Sequence, residues 1–191
     1  MKEGLSQLEA SWLQQLQQHS EEALAKLMKH YYADLYNYAA RFSQDESVIK
    51  DGIQEVFISL WQRRETAGGI LSLRYYLLRA VKNKVLKALY YNDRRAGIAP
   101  PHAGYEFFHE FSIEKIIIER QISEEKAARL KRTLSLLSRR QQEVIYLKFY
   151  QHLDHGQIAE LMSISRQSVY NLLHETIQKL RSLWHTDFVT R

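Results

Sequence analysis

The chain of 191 residues is long enough for one ordinary domain or two small ones, and its 27 Lys and Arg against 22 Asp and Glu leave a net charge of +5. That excess suits an acidic partner such as DNA, and the absence of cysteine excludes disulfides, thiolate metal sites and thiol nucleophiles. The opening MKEGLSQLEASWLQQLQQHSEE lacks the apolar core of a signal peptide and no stretch approaches a membrane span, so a soluble, cytoplasmic chain without membrane insertion is expected.

Only two prolines occur, Pro100 and Pro101, and most of the seven glycines fall outside the periodic segments, so the punctuation needed for many strands is missing and the chain reads as all-α. Leu24, Leu27, Tyr31, Leu35, Tyr38 and Phe42 recur at steps of three and four, as do Ile49, Ile53, Val56, Phe57, Leu60 and Trp61, which predicts two amphipathic helices. In the second, KDGIQEVFISLWQRR, the polar Asp51, Gln54 and Glu55 share the face opposite the apolar stripe. Taken alone, carboxylates so placed form a solvated surface, and nothing beside them pairs them for acid-base catalysis. Gly68 and Gly69 break the pattern, after which Ser72 caps a third helix running to about Arg95, with Tyr76, Leu77, Ala80, Val81, Val85 and Ala88 as its buried stripe. That helix, LRYYLLRAVKNKVLKALYYNDRR, interleaves Arg74, Arg79, Lys82, Lys84, Lys87, Arg94 and Arg95 with four tyrosines. Such a segment suits single-stranded DNA, since cations follow the phosphates while tyrosines stack on unpaired bases. Tyr76 is in step with the apolar stripe and reads as core, whereas Tyr90 and Tyr91 fit either role.

Residues 97–113, GIAPPHAGYEFFHEFSI, show no helical period and read as the start of a linker. Beyond it Ala127, Leu130, Leu134 and Leu137 define a helix, Ser138 with Gln141 is a capping-box signature, Asp154 with Gln157 resembles one, and Ser165 opens the last helix. The second half is thus a bundle of about four helices. Within it, GQIAELMSISRQSVYNLLHETIQKLR has the short helix, tight turn and longer helix of a helix-turn-helix. Ala159 is small where the two helices cross, Ile158 and Leu161 bury the first, and Val169 with Leu172 or Leu173, Ile177 and Leu180 bury the second. Arg166, Gln167, Tyr170, Asn171 and His174 are left on the opposite face, which would enter a major groove. There Arg pairs bidentately with guanine and Gln or Asn with adenine, while Ser165 and Ser168 can meet a phosphate. Arg129, Lys131, Arg132, Arg139 and Arg140 precede the motif and Lys179 and Arg181 close it. Ser163 stands where many such motifs have glycine, so a left-handed backbone there carries strain. A helical hairpin with a polar exposed face is the plainer alternative.

Together these segments resemble extracytoplasmic-function sigma factors of the sigma-70 superfamily. DGIQEVFISLW resembles their region-two signature, YLLRAVKN with its basic tail the promoter-melting helix, and LSRRQQEVIYLKFYQHLDHGQIAELMSISRQSVYNLLHETIQKLR region four. The resemblance covers roughly residues 22–95 and 125–184. It implies a region-two domain over residues 1–95, a flexible linker over 96–122 that threads toward the polymerase active-site channel, and a region-four domain over 123–191. It also implies a subunit that binds bacterial core RNA polymerase and directs it to promoter DNA, with no catalytic residues, cofactor or metal. By carry-over, Asp51, Gln54 and Glu55 face the polymerase clamp helices. Residues 63–72 together with Arg74, Lys82, Asn83 and Lys87 engage the melted −10 element, holding a base extruded from the stack. Arg166, Gln167, Ser168, Asn171 and His174 read the −35 element as duplex. An anti-sigma factor is a further implied partner. Three positions depart from the family pattern: Tyr76 stands where many members have Trp, Ser138 where Pro is frequent, and Ser163 where Gly is.

Two other functions fit parts of the chain. A conventional helix-turn-helix regulator would bind duplex DNA as a dimer on paired half-sites, without polymerase. An enzyme would rest on His152 and His155 as metal ligands, but the further ligands, a nucleophile pair and a Gly-rich phosphate loop are missing.

Overall fold

A computed structural model describes residues 6–95 and 123–186. The chain divides into two units, Met1–Phe108 and His109–Arg191, and every regular element among the described residues is helical. The expected linker over residues 96–122 lies outside the described residues. Among the described residues no helix is long and apolar enough to cross a membrane.

The first unit has four α-helices: α1 (Gln7–Gln17), α2 (Glu21–Ala39), α3 (Glu46–Gln62) and α4 (Leu73–Arg95), with a 3-10 turn at Arg64–Gly69 between the last two. Polar caps start them. Ser6 and Glu9 form a reciprocal capping box on α1, Ser20 caps α2, Asp45 caps α3, and the Ser72 hydroxyl accepts from the Tyr75 amide at 3.4 Å. Each such cap is worth about 1 kcal/mol, useful in helices too short to be stable alone. Most of the stripe positions read from sequence are core: Leu27, Tyr31, Leu35 and Tyr38 of α2 with Phe42 just after it, Ile49, Ile53, Val56, Phe57 and Leu60 of α3, and Leu77, Val81 and Val85 of α4 are all buried. Leu73 and Leu78 join the α4 stripe, whereas Leu24, Trp61, Tyr76, Ala80 and Ala88, also read as stripe positions, are only half-buried. Helices α3 and α4 approach closely at Gly52, where a Cβ would stand 3.0 Å from Val85 Cγ2. A larger side chain there would force α3 and α4 apart.

The second unit consists of α5 (Glu124–Ser135), α6 (Arg139–Ile145), α7 (His155–Met162) and α8 (Arg166–Thr186), with a π turn at Tyr146–Tyr150 closing α6. Both expected capping boxes form, at Ser138 with Gln141 and at Asp154 with Gln157. The connection from the π turn to α7 is held from inside: buried Gln151 donates to the Tyr146 hydroxyl at 2.7 Å, the Leu153 amide bonds the Leu147 carbonyl at 3.0 Å, and His152 takes a left-handed φ of 55°. Ile158, Ala159, Leu161, Val169 and Leu173 form the crossing of α7 and α8. Thr176 is also fully buried, its hydroxyl donating to the Leu172 carbonyl at 2.5 Å.

A polar network ties α1 to the rest of the first unit. The buried Tyr31 hydroxyl donates to the Glu9 carboxylate, Arg74 lies 5.6 Å from the Tyr31 ring centre, and its guanidinium pairs with Asp34 at 2.9 Å. Burial alone would raise the Glu9 carboxyl, but hydrogen bonds from Tyr31 and Ser6 more than offset it, so Glu9 sits below its ordinary range. Burial and the neighbouring Glu9 push the Tyr31 phenol up, which keeps it a donor. A depressed folded-state value stabilises the fold above the unfolded value of about 4.3 and ceases to do so as pH falls through the folded one. Glu9→Gln should therefore lower the denaturation midpoint of the first unit at neutral pH, and its difference from wild type should shrink on acidification below about pH 4. Denaturant titrations at a series of pH values measure this; a pH-independent difference would contradict it.

Candidate nucleic-acid interface

The turn between α7 and α8 fixes the exposed face of the second unit. Asp154 Oδ1 accepts from the Gly156 and Gln157 amides at 2.7 and 2.9 Å, which starts α7. The helix ends at Ser163, in the left-handed region with φ 54° and ψ 46°, and the Ile164 amide folds back to the Ala159 carbonyl at 3.0 Å. The Ser165 hydroxyl then accepts from the Ser168 amide at 3.0 Å and starts α8. With Val169, Leu173 and Thr176 turned inward, Arg166, Gln167, Ser168, Tyr170, Asn171 and His174 are all exposed. Gln167 donates to Asn171 Oδ1 at 2.9 Å, so the two exposed side-chain amides are aligned with each other.

Arg166 leaves this row. Its guanidinium rests against Gly156, where a Cβ would lie 3.0 Å from Nη2 and 3.2 Å from Nε. The neighbouring Tyr170 ring meets His155 edge-on at 6.5 Å. Other cations are occupied in holding the unit together: Arg129 donates to the Trp184 carbonyl and stacks over its ring at 4.3 Å, and Lys179 caps α5 through the Leu136 carbonyl at 3.0 Å.

In the first unit, Asp51, Gln54 and Glu55 are exposed together on α3, and Glu55 reaches across to Lys84 of α4 at 2.8 Å. An exposed pair of this kind is worth at most about 1 kcal/mol, so a partner can displace it. On α4, Asn83 and Lys87 are exposed, Lys87 stands 5.8 Å from the Tyr91 ring, and half-buried Lys82 lies 5.0 Å from the Phe42 ring. Tyr90 and Tyr91 are exposed, with Arg94 over Tyr90 at 5.7 Å. Arg74 does not join them. It occurs in phase with Leu77, Leu78, Val81 and Val85, and its side chain, 28% exposed, is drawn inward by Asp34 and Tyr31.

Residues 63–72 are a built loop. Arg64 stacks on Trp61 at 4.8 Å, donates to the Trp61 carbonyl at 2.9 Å and to His19 Nδ1 at 2.6 Å, while Gln17 donates to the Glu65 carbonyl at 3.0 Å. A Cβ at Gly68 would meet the Gln17 amide at 2.8 Å. Beyond these anchors Leu71 is 82% exposed. Gln17 and His19 were missed by sequence reasoning because α1 itself was; the Ser6 to Glu9 spacing is the signal that marks its start.

Two family models match the sequence: Sigma-70 region 2 over residues 27–95, and Sigma-70, region 4 over residues 127–180. The chain belongs to the sigma-70 family. Helices α2 to α4 carry region 2 and α5 to α8 carry region 4, in the order of the extracytoplasmic-function group that the motifs resemble. No curated protein sequence matches the chain. Among solved structures it is similar in fold to CnrH, described in complex with the cytosolic domain of CnrY, at 20% identity and a TM-score of 0.55, covering 94% of this chain and 99% of that one. It is also similar to the sigma factor RpoE of Bartonella quintana, described in complex with the anti-sigma factor NepR, at 15% identity and a TM-score of 0.53, covering 85% and 97%.

The left-handed serine at the region 4 turn has a measurable cost. A non-glycine residue in that conformation is strained by about 1–2 kcal/mol, against which glycine loses some entropy on folding. Ser163→Gly should raise the thermal midpoint of the second unit by a few degrees and leave the exposed face of α8 unchanged, as read by calorimetry of the full chain. A lowered midpoint would show that the Ser163 side chain stabilises the turn in some other way.

Proposed function

We propose that this protein is a cytoplasmic transcription initiation factor of the extracytoplasmic-function type, which binds bacterial core RNA polymerase and directs it to promoters with two separate elements. One observation carries the reading: a single chain presents an acidic polar face on α3, a basic and aromatic α4 beside a pinned loop, and a helix-turn-helix with an exposed polar row. No one of these is specific, but their succession matches the needs of a polymerase subunit.

In this reading Asp51, Gln54 and Glu55 form the polymerase contact, with Glu55 exchanging Lys84 for a cationic side chain of the partner. Lys82, Asn83 and Lys87, with residues 63–72 and the Tyr90 and Tyr91 rings, engage the opened −10 strand, where stacking and phosphate contacts serve without a paired complement. Arg74 supports that surface through Asp34 and Tyr31. Gln167, Ser168, Asn171 and His174, with Arg166, engage the −35 duplex. An anti-sigma factor is the expected antagonist, as the solved relatives are described with protein partners. The residues 1–95, 96–122 and 123–191 divide these roles into two domains and a linker.

The halves are separable by mutation. Asp51→Lys combined with Glu55→Lys should abolish binding to core polymerase in a pull-down while leaving the thermal midpoint within about a degree or two, since exposed charges contribute little to stability. Replacing Arg166 and Gln167 with Ala should leave polymerase binding intact and weaken promoter selection. Retained polymerase binding in the first variant, or its loss in the second, would contradict the assignment.

A further inference from the structure

Region 4 divides its DNA-facing side chains between two directions, and the geometry points to Arg166 as a phosphate-backbone contact, held in place by a notch at Gly156, with base reading left to Gln167, Asn171 and His174. This rests on the reading of α8 as the −35 helix. At about 100° per residue, Gln167, Asn171 and His174 lie opposite the buried Val169, Leu173 and Thr176, so they project furthest from the unit. Arg166 and Tyr170 lie about a quarter turn away, on the flank toward α7. The contacts agree: Arg166 rests on Gly156 and Tyr170 meets His155, both in the first turn of α7.

In a docked helix-turn-helix the recognition helix enters the groove and the helix before it crosses the sugar-phosphate backbone. A guanidinium parked beside the first turn of that earlier helix is therefore directed at the strand rather than at base edges. Asp154 is close by, its Oδ1 standing 3.1 Å from the same Cβ position, which favours a cation there before DNA binds. Glycine is what makes the arrangement possible, because any Cβ at residue 156 would press on Nη2 and Nε. The guanidinium is the far end of a flexible side chain and can give way by the few tenths of an ångström required, whereas the Asp154 carboxylate, 3.1 Å from the same Cβ position, is held as the cap of α7. Gly156→Ala thus displaces Arg166 and also presses on the Asp154 cap, so its thermal midpoint is measured beside its affinity to separate the two effects.

The two kinds of contact leave different signatures. A phosphate contact carries no sequence information and contributes about 0.9 to the slope of log affinity against log salt, whereas a bidentate base contact discriminates at one base pair. Holoenzyme assembled from the full chain and core polymerase can be titrated, at several salt concentrations, against a promoter it selects and against duplexes in which each upstream-element base pair is replaced in turn. Arg166→Ala should weaken binding roughly tenfold on every duplex alike and reduce the salt slope by about 0.9. Arg166→Lys should restore both, since lysine serves a phosphate as a point charge but not a guanine edge in fork geometry. Gly156→Ala should weaken binding uniformly, by less than Arg166→Ala. Loss of discrimination confined to one base pair, failure of lysine to rescue, or no effect of Arg166→Ala would overturn the phosphate role. An unchanged affinity for Gly156→Ala would overturn the notch. Indifference of the wild-type holoenzyme to every upstream substitution would instead overturn the reading of α8 itself.

Discussion

A helix that buries one stripe against its neighbours has no freedom to rotate about its axis, and the candidate functional surfaces of this protein follow from that constraint. Packing Ile49, Ile53, Val56, Phe57 and Leu60 inward leaves Asp51, Gln54 and Glu55 outward, and packing Val169, Leu173 and Thr176 inward leaves Gln167, Asn171 and His174 outward. The stripes are narrow, as 3.6 residues per turn requires, so polar rows survive on the opposite side without being selected for burial. Gly52 tightens the constraint in the first unit by letting α3 and α4 approach until Val85 fills the space a Cβ would take. Ser163 does so in the second, since its left-handed backbone sets where α8 begins after α7 ends.

That constraint also explains what the sequence could and could not disclose. Stripes, caps and the two capping boxes of the second unit are local, with partners three or four residues apart, and they are legible in one dimension. The left-handed turn at Ser163 was legible too, from a serine in the place where the motif calls for glycine. Helix α1 was not, because its two buried leucines, Leu13 and Leu16, stand among glutamines that fit a helix without marking a face. The contacts of Arg74 were not legible either, since by type it belongs to the basic row and by phase it lies beside the packed stripe. Its partner Asp34 is forty residues away, and the Tyr31 to Glu9 bond spans twenty-two. No periodicity encodes pairs of that kind.

The candidate site depends on several of these non-local links. Gln17 at the end of α1 and His19 in the turn after it hold residues 63–72 from before the matched region 2 segment, so the loop proposed to meet opened DNA is shaped by residues outside its own motif. The exposed carboxylate of Glu55 already has a lysine partner, and Gln167 and Asn171 already bond each other. The first pair is exposed and weak enough to be displaced, whereas the second limits the freedom of two neighbouring amides on one helix face. Neighbours in the chain can also face different ways in the region 4 row, where Arg166 leans on α7 while the adjacent Gln167 faces solvent.

The proposed direction of polymerase to promoters would join the two units in one function, and transcription reconstituted from the purified chain and bacterial core RNA polymerase over a genomic promoter library tests it most directly. Transcripts should start at a subset of promoters sharing two dissimilar upstream elements at a fixed separation, and only when both chain and polymerase are present. Transcription no different from that of core polymerase alone, or binding to paired half-sites without polymerase, would contradict the assignment.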